Sequence, residues 1–145
     1  MQSRLREFGM IRKILGLIVG AAVGLGVLYA WQLLGHVIFP FPTMNPTDPG
    51  KREMLANMPF AAQAWVLGGY AVGVAVGGLL GNRIADARWP AMLIAFMVTG
   101  VFFVTLTAAP HPFWMQVAGL LLPLLAGLAV AATVGRSTLV ERSHW

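Results

Sequence analysis

Four long apolar runs, at about residues 14–39, 60–81, 90–108 and 113–134, divide the chain, and its charged residues fall at their ends or between them. Inside hydrocarbon only helices and closed barrels satisfy every backbone polar group, and a spanning helix takes roughly 20 residues. Runs of this length predict an all-α polytopic membrane protein, a four-transmembrane-helix bundle forming one membrane domain over residues 1–145. With 58% hydrophobic and 10% charged residues, the remainder is too short for a soluble domain, so whatever the protein does it does in or at the bilayer.

Glycine spacing then predicts how the spans meet. The second run carries Gly69, Gly73, Gly77 and Gly81, and the first carries Gly16, Gly20 and Gly24. Four-residue spacing puts each set on one helical face. In lipid no hydrophobic force drives helices together, and bare faces that let backbones approach closely do that work instead. The two ladders predict an antiparallel hairpin joined by a glycine zipper, against which the other spans pack. Gly68 and Gly78 stand off the main face and are expected to receive a second partner.

The segments between the runs read as follows. Residues 1–13 form a short basic leader, but the run after it is too long for a signal h-region and lacks a small-x-small cleavage site, which predicts an uncleaved first span. Pro40 and Pro42 end that span. Asp48 as a cap, Pro49 as first helical residue, and Met54, Leu55 and Met58 on one side predict a short amphipathic helix in the first outer loop. Pro59 opens the second span, Trp89-Pro90 the third, and Phe113-Trp114 the fourth. Pro123 is expected to kink the fourth helix or leave a carbonyl unpaired.

Orientation follows from the basic residues. Arg4, Arg6, Arg12, Lys13, Arg83, Arg88, Arg136 and Arg142 lie on one side, against Lys51 and Arg52 on the other. The bias predicts a multi-pass protein of the bacterial inner (plasma) membrane with cytoplasmic N and C termini. Read this way, the net charge of +5 is a topology signal rather than a nucleic-acid footprint. The expected partners are the lipid bilayer and either further copies of the chain or a larger membrane complex.

Polar residues within the runs cluster toward the outer end: Gln32, His36, Gln63, Thr105, Thr107 and Gln116, with His111 in the turn nearby. One reading is an outward-facing polar chamber lined by Gln32, His36, Gln63 and Gln116. The other is a set of headgroup-level residues hydrogen-bonded to water. His36 and His111 are candidate axial haem ligands, since bundles hold haem between facing histidines; a structural role for both is the competing reading. Zinc sites want three or four close ligands, and no metal or cofactor is expected. The five carboxylates, Glu7, Asp48, Glu53, Asp86 and Glu141, all lie outside the runs, which argues against a proton-driven exporter. Cysteine is absent, and the chain holds no nucleophile triad, phosphate-binding loop or HExxH helix. No catalytic residue and no enzyme activity are expected.

Gly35-His36, Phe39-Pro40 with Pro42, Asp48-Pro49, Pro59, Gly77-Gly78, and Pro110-His111-Pro112 with Trp114 together resemble a group of small four-span bacterial inner-membrane proteins of unassigned function. The resemblance covers nearly the whole chain and implies the topology but no activity. Three functional readings stand open: a non-enzymatic accessory or assembly subunit acting through helix packing, a small transporter or channel using the outer chamber, and a haem-binding electron-transfer subunit.

Overall fold

Each apolar run folds as one unbroken helix, because Pro123 is the only proline inside any of them beyond the first turn and its helix continues through it. The computed structural model describes residues 2–40, 49–50, 53–54, 57–108 and 111–141. The four helices are α1 (Gln2–Ile38), α2 (Phe60–Ala85), α3 (Trp89–Ala108) and α4 (Phe113–Glu141). All four are long and apolar enough to cross a membrane, and there is no strand among the described residues. The chain is an integral, multi-pass membrane protein built as a four-helix bundle.

The helices extend beyond the apolar runs that mark them. α1 starts at Gln2 rather than near Ile14, since Leu, Arg, Glu, Met and Lys all favour helix and no proline intervenes. At 1.5 Å per residue it is about 55 Å long, well beyond the ~30 Å hydrocarbon core, so its first turns project past the apolar layer. α2 continues one turn past Gly81 to Ala85, where Asp86 takes the left-handed conformation (φ 51°) and its N–H bonds the Asn82 carbonyl. α4 runs on to Glu141 rather than ending near Val134. Pro123 lies fully buried inside α4 without breaking it. In the first loop, Glu53 and Met54 are helical, with Met54 N–H on the Gly50 carbonyl and Asn57 N–H on the Glu53 carbonyl, both at 3.0 Å. Pro42, the expected Asp48 cap, Leu55 and Pro110 lie outside the described residues.

Packing is rhombic. α2 and α3 touch each other and both outer helices, whereas α1 and α4 make no contact among the described residues. The short diagonal is therefore filled: Val74 of α2 and Ile94, Val98 and Phe102 of α3 are fully buried, and Tyr70 meets the Phe102 ring edge-on at 5.1 Å. Phe102 in turn lies against Gly119 of α4, where any Cβ would overlap the ring, and Gly127 faces Ala95 in the same way. Thus α4 docks by receiving side chains into glycine notches.

Candidate functional site

The seam between α1 and α2 is backbone against backbone. A Cβ on Gly16 would stand 2.7 Å from the Gly81 carbonyl oxygen, one on Gly20 2.6 Å from that of Gly77, and one on Gly24 2.8 Å from that of Gly73. Seen from α2, a Cβ on Gly73 would stand 2.8 Å from the Gly24 carbonyl oxygen and one on Gly81 3.0 Å from that of Gly16, while one on Gly77 would overlap the Gly20 carbonyl. Each four-residue step forward on α1 is matched by one back on α2, as an antiparallel pair in register requires. No side chain larger than hydrogen fits at these positions without moving a helix.

Gly69 does something else. It floors the Trp31 ring, with a Cβ there standing 2.6 Å from Cδ1, and Gly35 floors Trp65 at 2.8 Å. The two indoles stack at 4.5 Å and 20°. Trp31 Nε1–H donates to the Trp65 carbonyl at 2.8 Å, and Trp65 Nε1–H donates to the Trp31 carbonyl at 3.2 Å. This reciprocal clamp closes the seam at the Trp31 end and satisfies two indole donors that would otherwise need water.

The expectation that Gly68 and Gly78 stand ready for a further partner is corrected here. A Cβ on Gly68 would stand 3.6 Å from the Trp31 ring, and one on Gly78 3.0 Å from Ala91 and 3.4 Å from Val130. Both are taken up inside the chain, Gly68 beneath an indole of α1 and Gly78 by α3 and α4, which pack on the face of α2 that α1 leaves open.

Beside the clamp, a pocket of about 60 Å³ is lined by Gln32, Gly35, His36, Phe39, Met58, Ala62, Trp65 and Val66. Gln32 Nε2 donates to the Val66 carbonyl at 3.3 Å, which leaves its Oε1 as an acceptor, and His36 is exposed at the rim. The space suits a few waters or one small group. Neither Gln63 nor Gln116 lines it. Each instead closes the start of its own helix: Gln63 Nε2 donates to the Met58 carbonyl at 2.9 Å and Gln116 Nε2 to the His111 carbonyl at 2.8 Å. The Pro59 carbonyl accepts from Ala62 and Gln63, and the Pro112 carbonyl from Met115 and Gln116. Both helix starts carry the sequence Pro-Phe-x-x-Gln, a repeat that a residue-by-residue reading misses and that assigns both glutamines once it is noticed. The four-residue chamber is thus not assembled, and only Gln32 and His36 come together.

The histidines are likewise apart. His36 belongs to the α1–α2 pocket, whereas His111 meets the Phe102 ring at 6.1 Å on the α3–α4 side. Among the described residues no three of His, Asp or Glu come close enough to hold a metal.

At the other end Asn82 is fully buried, and its Oδ1 accepts the Ala91 N–H at 2.9 Å. Pro90 lacks an N–H, so this side chain from α2 supplies the cap that α3 does not carry itself. The Asn82 Nδ2 finds no partner among the described residues. Farther out, Arg12 bridges to Asp86 at 3.0 Å with both groups exposed, a contact worth little by itself. Comparison with known protein families, curated proteins and solved structures returned no match.

Proposed function

We propose that the protein is a non-enzymatic accessory or assembly subunit of a bacterial inner membrane, with both termini cytoplasmic, that packs α1 against a span of a partner. The observation that carries this reading is a second small-residue face on α1: Ala22, Gly26 and Ala30 follow one another at four-residue spacing and all are exposed. A Cβ on Gly26 would meet nothing within 4 Å. The same device that joins α1 to α2 is repeated on the side of α1 that no helix of this chain covers, and it is of use only to another helix. α1 is also the least buried span, with 22% of its most apolar stretch inside against 44% for α2. The orientation rests on Arg12, Lys13, Arg83 and Arg88 gathering at one end of the bundle.

Native mass spectrometry of the protein, extracted in mild detergent from its own membranes at natural abundance, tests this. The expected mass includes a larger membrane protein or a second copy, and Gly26→Leu is expected to release it. A wild-type chain that leaves the membrane alone, or a Gly26→Leu chain that keeps its partner, overturns the reading.

A further inference from the structure

Where α2 stops at Ala85, α1 continues for several more turns in the opposite direction, and this mismatch leaves an open groove at the basic end of the bundle. The groove has a volume of about 390 Å³ and is lined by Phe8, Gly9, Arg12 and Lys13 of α1 and by Ala85 and Asp86. Gly9 has nothing within 4 Å of where its Cβ would stand, so it leaves the floor open. Arg12 is engaged by Asp86 at 3.0 Å, while Lys13 has no ion pair among the described residues. The described charged side chains at this end of the bundle also include Glu7, Arg83 and Arg88, so with Arg12, Lys13 and Asp86 the end carries four cations against two carboxylates. Trp89, partly exposed at the start of α3, sits at the same end of the molecule, as an interfacial aromatic does.

The apolar surroundings determine what kind of anion fits. Phe8, a wall of the groove, is followed on the same helical face by Ile11, Leu15 and Ile18, and all four are half or more exposed. A cationic notch therefore opens at its inner edge onto an uncovered apolar track running toward the bilayer centre. A free phosphate would use the notch and leave the track bare, whereas a phospholipid uses both. Basic pockets between spans beside the headgroup layer are where anionic headgroups are held.

We infer that this groove is a binding site for one anionic phospholipid, its headgroup phosphate held by Lys13 and by the outward-facing nitrogens of Arg12, and an acyl chain lying along Phe8, Ile11, Leu15 and Ile18. The track lies on the same face of α1 as Ala22, Gly26 and Ala30 and ends at Ile18, one turn before Ala22, while the cationic notch that selects the headgroup lies two turns or more from those residues and is tested without altering them. Asp86 limits the affinity by occupying Arg12, so the site is adjustable in both directions by single substitutions.

The test is native mass spectrometry of the full chain titrated with phosphatidylglycerol or phosphatidylcholine. Wild type is expected to take up one phosphatidylglycerol in preference to phosphatidylcholine. Lys13→Ala should weaken that binding about fivefold, and Arg12→Ala with Lys13→Ala by more than about tenfold, following the contribution of a basic residue at an anionic surface. Asp86→Asn keeps a residue that tolerates the left-handed conformation and frees Arg12, so it should tighten binding by a fewfold. Equal uptake of the two lipids, or unchanged binding in the double variant, overturns the site. Displacement of phosphatidylglycerol by millimolar inorganic phosphate would show that the notch works without the track, and would overturn the assignment to lipid.

Discussion

Gly20 and Gly26 lie six residues apart on one helix and are chemically identical, yet their surroundings are opposite. A Cβ on Gly20 would stand 2.6 Å from the Gly77 carbonyl oxygen and 2.8 Å from Ile94 Cδ1, while one on Gly26 would meet nothing. α1 therefore has two small-residue faces, one closed within the chain and one open. In lipid, then, a small-residue ladder identifies a docking face without saying which helix docks there.

Substitutions break or sharpen this contrast to different degrees. The largest effect is expected from Gly77→Leu, whose side chain must occupy space held by the Gly20 carbonyl and the Gly24 Cα. Both obstacles are backbone, so α1 has to leave, at a cost of about 3 kcal/mol or more; reversible unfolding in SDS followed by tryptophan fluorescence measures it. An unshifted midpoint would mean that the seam tolerates separation.

Gly119→Ala comes next and asks whether a notch for a ring is as strict as backbone contact. The added methyl overlaps Phe102, which is itself fully buried, so about 1–3 kcal/mol should be lost in the same assay. Trp31→Phe removes one interhelical donor and the stacked pair, for about 0.6–1 kcal/mol. It should also abolish the exciton couplet of the two indoles in circular dichroism; a couplet that survives would show that the stack at 4.5 Å is not its source. Smallest of all is the effect of Gly26→Leu on the fold, expected within about 0.5 kcal/mol. A loss as large as that of Gly77→Leu would erase the distinction between the two faces.

Much of the fold is legible in the sequence because it follows from single-chain chemistry. Apolar run length marks the four helices, and the four-residue glycine period marks the faces that let α1 and α2 approach. The helix ends are less legible, since residues 2–13 and 82–85 carry polar side chains that favour helix as readily as they favour water. The candidate site is legible only in part. Spacing puts Gln63 and Gln116 at the right end of the bundle, but their partners are carbonyls five residues upstream, and only the Pro-Phe-x-x-Gln repeat signals that. The Trp31–Trp65 clamp and the Asn82 cap join residues of different helices through specific atoms, and no periodicity encodes which atoms meet. Gly68 and Gly78 mislead for the same reason, because a helix face can be read from spacing but its neighbour cannot.

Because α1 and α4 do not touch among the described residues, the molecule has two flanks that can vary independently. A change on the outer surface of α1 meets no constraint from α4, and the energies of distant, unshared contacts add rather than interact. The α2–α3 pair is the frame that both flanks share, and neither flank reaches the other except through it. Ala22, Gly26 and Ala30 can therefore change without revising the notch at Gly119. The rhombus thus separates the part of the protein that must stay folded from the part that is free to change.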